Sequence, residues 1–271
     1  MRNNIIILLK KLGLYRNTKR LKDYFSRIFM FDKSYNEGLD KIYSKFNIKG
    51  KLVYDIGAAD DGVEPFLKQG AKKVIGIEPV KAQYKILEKK YKNNKDVIVL
   101  NLAIGSKDGL EKMYICNSRY FSTFSKEQVD CINNQEETKN LEFYKEEMIN
   151  ILSLDTLIKK YGMPYFCKID VEGYEPEVLS GLSKPIDLIS FEYNTLFPNK
   201  AISCIEILEK LGEYEFNLMK NKENNIKNKE WVNADNMMEI VSKFNSDEMN
   251  FGDIYCRLIK KITTIAKETS K

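Results

Sequence analysis

The sequence contains no histidine. That absence removes histidine general bases, Ser-His triads and histidine-ligated metals together, so acid–base chemistry falls to carboxylates, lysine, tyrosine or cysteine. Cysteine is sparse as well: five residues, at 116, 131, 167, 204 and 256, with no C-x-x-C pair. An odd number at such spacing argues against a zinc knuckle and a disulfide framework. Reduced thiols in a cytoplasmic protein are the expectation. No apolar run approaches the roughly 18 residues that span a bilayer. Residues 5–9 form the longest early one and lack a small-residue cleavage pattern after them, so no signal peptide is expected.

What is present is a chain of 271 residues, 43% hydrophobic, enough for one large domain with an ordinary core. The net charge of +5 is uneven: residues 1–31 hold eight basic side chains against Asp23, a net +7, which leaves −2 on the other 240. Nucleic-acid binding by the main body is therefore not expected. Apolar residues recur at helical spacing through residues 5–46, as at Ile5, Leu8, Leu9 and Leu12, and again at Leu39, Ile42, Tyr43 and Phe46. Basic residues fill the other faces, a pattern that suits an anionic membrane surface; the expectation preferred here is a helical extension packed on the domain or on another subunit. The expected organisation is a helical extension over 1–48, one α/β domain over 49–262 and a polar tail over 263–271.

From residue 51 strands and helices alternate. Strands are expected over 51–56, 73–78 and 97–102, and helices over 63–70 and 80–91, which predicts a parallel sheet covered on both faces. A short strand follows at 110–116, read as an edge hairpin. Residues 117–150 are the least regular part, as a substrate lid or a solvated linker would be; 117–124 mix polar and aromatic side chains, and the charged stretch 126–147 reads as helix. Then come a helix from 153 ended by Gly162, a strand over 165–171, and a helix over 175–182 with Pro176 in its first turn. A strand over 186–193 and a helix over 202–211 follow. The last two strands, 214–219 and 254–258, enclose a Lys/Asn-rich turn and a short helix at 236–244; they should place an antiparallel strand at the sheet edge.

Two stretches hold the chemistry: VYDIGAADDG at 53–62 and KIDVEGYEPEVLSG at 168–181. Each runs from a strand into a turn and helix, which sets its acids at the carboxyl end of a parallel strand, where open α/β sheets bind ligands. A dinucleotide fingerprint wants G-x-G-x-x-G, but Ala59 stands at its middle glycine and Asp55, Asp60 and Asp61 crowd the loop. Carboxylates repel a pyrophosphate, which counts against a Rossmann oxidoreductase. They suit a cationic ligand such as S-adenosylmethionine, with its sulfonium and α-ammonium. Glu78, 21 residues after Gly57, is placed to accept hydrogen bonds from ribose hydroxyls.

These residues resemble the FkbM-type family of S-adenosylmethionine-dependent methyltransferases. The resemblance spans residues 51–195 and rests on Asp55-Ile56-Gly57-Ala58, Ile77-Glu78-Pro79, Asn101-Leu102-Ala103-Ile104-Gly105, Ser153-Leu154-Asp155, the 168–181 block and Phe191-Glu192. It implies a Rossmann-like, seven-stranded, mostly parallel methyltransferase sheet with helices on both faces. It also implies methyl transfer, usually to a hydroxyl on a sugar or a secondary metabolite. It assigns Asp55 and Gly57 to the methionine end of the cofactor, Glu78 to the ribose, and Asn101, Leu102 and Ala103 to the adenine, with Ala58 and Pro79 also binding the cofactor. The family's first loop usually reads D-[IV]-G-A-N-x-G; here Ala59 replaces the asparagine and the glycine comes one residue late, at Gly62.

Asp170, Glu172 and Glu192 are the candidate catalytic residues. A hydroxyl acceptor must lose a proton as it attacks, and without histidine a carboxylate is the natural base. Asp170 or Glu172 would take that proton and Glu192 would orient the acceptor, while Lys168 pairs with Asp170 or Glu192. The same oxygens would suit Mg²⁺, yet no metal is expected. An amine acceptor and a catalytically silent binding protein remain as alternatives.

Overall fold

A computed structural model of the chain describes residues 39–59, 62–118, 120–134, 138–220, 230–244 and 250–261. The helices expected before residue 39, Asp60 and Asp61, most of the Lys/Asn-rich turn and the polar tail lie outside the described residues.

The chain alternates as its pattern predicts. Strand β1 (Leu52–Ile56) leads to helix α1 (Val63–Lys68), β2 (Lys73–Ile77), α2 (Lys81–Tyr91) and β3 (Val97–Leu100). These strands are apolar on both faces because both are covered. Tyr54, Ile56, Ile75 and Ile77 join one core, whereas Val53 and Val74 join another with Val63 and Phe66 of α1 and Leu87 of α2.

After β3 the chain leaves the main sheet. Asn101 turns it, and β4 (Ala103–Gly105), β5 (Gly109–Cys116) and β6 (Phe143–Ser153) form a separate three-stranded sheet in the order β4-β6-β5. The expected edge hairpin at 110–116 is thus one arm of a second sheet. The helix expected over 126–147 is a correction: α3 (Lys126–Asn133) ends early, and residues 143–153 are the strand β6. The lysine and glutamates at 145–147 look helical by composition. Yet Ile149 and Ile151, two apart, both face inward, which is a strand period.

Main-sheet order resumes with α4 (Leu154–Tyr161), β7 (Phe166–Ile169), α5 (Glu175–Ser180), β8 (Leu188–Asn194), α6 (Pro198–Leu211), β9 (Gly212–Lys220), α7 (Ala234–Ser242) and β10 (Phe251–Lys261). Ser153 caps α4, its side chain accepting from the Thr156 N–H, as serine does at an N-cap. The seven strands run β3-β2-β1-β7-β8-β10-β9. All neighbours are parallel except β10, which pairs antiparallel with both β8 and β9. The antiparallel strand therefore sits one place in from the edge, threaded between the two strands that precede it. Helices α4 to α7 cover one face through Leu157, Leu179, Ile205 and Met237. On the other face Phe166 lies among the rings of Tyr43, Phe46 and Phe66.

Strand order reverses between β1 and β7: β2 and β3 lie to one side, β7 and β8 to the other. Ligands of open α/β sheets bind at such a switch point.

Candidate active site

The backbone itself is closely packed at the switch point. Gly57, just past β1, has φ +82°, and a Cβ there would lie 1.7 Å from the carbonyl oxygen of Asp170, just past β7. Only glycine permits that approach. Gly57 and Ala58 both donate their N–H to the Ile77 carbonyl, at 3.0 Å each, which ties the first loop to the end of β2.

Above these strand ends lies a cavity of about 180 Å³. Glu78 lines it and is buried to 5% exposure. Its Oε2 accepts from the Ala59 N–H at 2.9 Å and its Oε1 from the Val80 N–H at 2.7 Å. Pro79, Ala103, Ile104 and Met113 supply an apolar wall beside it.

Three other assigned residues play supporting parts. Asp55 is fully buried and is not among the lining residues; it lies beneath the loop, where a Cβ on Gly62 would come within 2.4 Å of its Oδ2. Asn101 also stands outside the lining, and its Nδ2 donates to the carbonyls of Glu78 and Pro79 at 2.9 Å each. It shapes the turn that carries Glu78. Leu102 packs against the main core, while Gly57, Ala58 and Ala103 line the cavity.

On the other side of the cavity the structure brings Asp170, Glu172 and Glu192 together, one oxygen of each lying within 4.8 Å of the others. Asp170 and Glu172 follow β7; Glu192 is on β8. Lys168 pairs with Asp170 Oδ2 at 2.9 Å, as expected, and faces Asp55 Oδ1 at 3.8 Å. Burial pushes Glu172 well above the usual carboxylate range, helped by Asp170 and Glu175. Burial does the same to Glu192, with Asp170 and Glu172 adding repulsion. Glu175, at the start of α5, accepts from the N–H groups of Val171 and Gly173 at 3.1 Å each and is pushed by burial up to about 7.

Sequence reasoning missed two members of this wall. Asp253 of β10 stands opposite Glu192 in register, is 6% exposed and lines the cavity; burial pushes it up to about 7. Its place depends on β10 threading beside β8, which no local pattern announces. Gln128 of α3 donates from Nε2 to Glu172 Oε2 at 3.0 Å. A polar residue on the inner face of an amphipathic helix was the available signal. Tyr120, Phe121, Ser122 and Phe124 also line the cavity, so residues 120–124 form part of its wall. Thr123 fastens that segment by donating from Oγ1 to the Glu172 carbonyl at 2.6 Å.

Residues 55–228 match the family model described as the methyltransferase FkbM domain. Among solved structures, methyltransferase FkbM from Methylobacillus flagellatus KT is similar at 15% identity with a TM-score of 0.44, over 78% of this chain and 44% of that one. The chain thus spans less than half of that protein's length. An O-methyltransferase from Bacillus cereus in complex with SAH is similar at 12% identity and a TM-score of 0.44, over 84% of this chain and 82% of that one. Precorrin-6y C5,15-methyltransferase from Geobacter metallireducens GS-15 shares 11% identity at a TM-score of 0.40, over 82% and 86%. No curated protein matches the chain.

Proposed function

Because the chain belongs to the FkbM methyltransferase family, we propose that this S-adenosylmethionine-dependent methyltransferase methylates a hydroxyl on a sugar, a glycan or a glycan precursor. The carrying observation is one cavity in which aromatic rings and carboxylates share the wall. Tyr120, Phe121, Phe124 and Phe197 line it together with Asp170, Glu172 and Glu192. A sugar ring presents apolar C–H faces and hydroxyl edges, and a few placed polar groups on an apolar lining are what orient such a ligand.

The residues present fit the cofactor. Glu78 lines the cavity at the end of β2, where a carboxylate would meet the ribose hydroxyls, and Pro79, Val80 and Ala103 offer an apolar bed for the adenine. Bound there, S-adenosylmethionine supplies an electrophilic methyl group on a sulfonium.

The chain's own part is positioning and proton removal. Methyl transfer is an in-line displacement, so holding the acceptor oxygen in place supplies much of the rate. As the methyl carbon would leave the sulfonium, with the S–C pair staying on sulfur, for the acceptor oxygen, that oxygen's proton would pass to Asp170 or Glu172. Burial raises Glu172 well above the usual carboxylate range, and a carboxylate so raised is a stronger base. Glu192 accepts from a neighbouring hydroxyl and fixes the acceptor's orientation.

The test is transfer from S-adenosylmethionine to a panel of sugar nucleotides and oligosaccharides, read by mass and by NMR of the product. A methyl ether on a sugar oxygen is expected. Transfer to amines alone would overturn the hydroxyl reading.

A further inference from the structure

The acidic wall carries more than a general base requires. Asp170, Glu172, Glu192 and Asp253 all line the cavity, and the ammonium that faces them, Lys168, is shared with Asp55. Lys200 is engaged elsewhere, donating to Ser125 Oγ and the Gly173 carbonyl at 2.8 Å each. Buried carboxylates are ordinarily paired, hydrogen-bonded or bound to a cation. Among the described residues, neither Glu192 nor Asp253 accepts a hydrogen bond at its carboxylate, although Asp253 is more than nine-tenths buried. Asp253 enters the wall from β10, facing Glu192 across the strand pair.

From this geometry we propose that Asp170, Glu172 and Glu192 form a binding site for a hard divalent cation, Mg²⁺ or Mn²⁺, with Asp253, outside their 4.8 Å cluster, as an outer-shell acid.

Three observations support it. One oxygen from each of the first three residues lies within 4.8 Å of the others. Opposite oxygens on Mg²⁺ are about 4.0–4.2 Å apart and adjacent ones about 3 Å, so the three carboxylates would draw in by up to about 2 Å to share it. Outer-shell donors are also in place, since such partners orient metal-binding carboxylates. Lys168 holds Asp170 Oδ2 and Gln128 holds Glu172 Oε2, each leaving the second oxygen of its partner for the ion. Finally, among the described residues Lys168 is the ammonium that pairs with this wall, and a bound divalent ion would compensate the carboxylates it displaces protons from. Any catalytic role rests on the methyl-transfer reading: the ion would polarise the acceptor hydroxyl and ease loss of its proton. Its binding does not depend on that reading.

The test uses metal-stripped full-length protein titrated with Mn²⁺, following the resonance of free Mn²⁺, with no acceptor present. One ion per chain is expected for the wild type. Glu192→Gln and Asp253→Asn should each weaken binding by about tenfold or more, with melting temperatures no lower than that of the metal-free parent. No saturable Mn²⁺ binding by the wild type, or equal binding by folded variants, would overturn the site. A titration with S-adenosylhomocysteine runs alongside: Mn²⁺ binding without it would sink the methyltransferase reading and leave the ion site standing, and the converse result would do the reverse.

Discussion

The backbone N–H of Ala59 donates to Glu78 Oε2 at 2.9 Å, across the gap between the loop after β1 and the end of β2. The loop that departs from the family pattern is thus closed by the carboxylate assigned to the ribose. Ala59 reaches that position at φ +47°, in the left-handed region that asparagine and glycine tolerate better than alanine. This gives a physical reason for the asparagine that the family usually carries there.

Ala59→Gly should therefore stabilise the protein. The left-handed strain of roughly 1–2 kcal/mol is relieved, and glycine's extra unfolded-state entropy takes back about 0.5–1 kcal/mol. A net gain of about 0.5–1 kcal/mol is expected from urea unfolding. A loss of stability would mean that the alanine methyl makes packing contacts worth more than the strain.

Glu175 makes stability depend on pH. Its folded value is about 7 against an ordinary 4.5, so the folded state holds a proton that the unfolded state releases between those limits. Stability from this group is full below about 4.5 and is lost as pH rises through about 7. In Glu175→Gln the amide oxygen can still accept from Val171 and Gly173, and that loss disappears. Unfolding curves at pH 5 and pH 8 should show the variant gaining on the parent by up to about 3 kcal/mol. An unchanged difference would remove Glu175 from the pH profile.

Asp170→Asn and Glu172→Gln should keep cofactor binding and lose turnover, by about 10²-fold or more for whichever group takes the proton. Unchanged turnover in both would remove them from the chemistry.

Gln128→Ala removes the hydrogen bond that α3 makes to Glu172. Turnover should fall by about tenfold, since a hydrogen bond to a charged group is worth about 1.5–3 kcal/mol, and S-adenosylhomocysteine affinity should hold. A matching loss of cofactor affinity would show that Gln128 supports the whole cavity instead.

Much of this was legible in the chain. The alternation of apolar strands with amphipathic helices predicts the parallel half-sheet, and Asp55, Glu78, Asp170 and Glu172 fall at or just past strand ends because the motifs place them there. What was not legible depends on long-range pairing. β10 threads between β8 and β9, and only that insertion brings Asp253 to Glu192. Residues 143–153 form a strand through pairing with β5 and β4, despite a charge-rich start that suits a helix. The Asn101 amide holds the carbonyls of Glu78 and Pro79, a tie across the turn that no local pattern announces. Local sequence carried the strand ends; the contacts among them required the fold.

The most direct measurement is calorimetric titration of the wild type and Glu78→Ala with S-adenosylhomocysteine, with NAD⁺ as the control ligand. The wild type should bind S-adenosylhomocysteine in the micromolar range and ignore NAD⁺. The folded variant should bind at least about tenfold more weakly, because each tenfold is about 1.4 kcal/mol and two charge-assisted hydrogen bonds are lost. Equal binding by parent and variant, or no binding by the parent, would contradict the cofactor site placed at the end of β2.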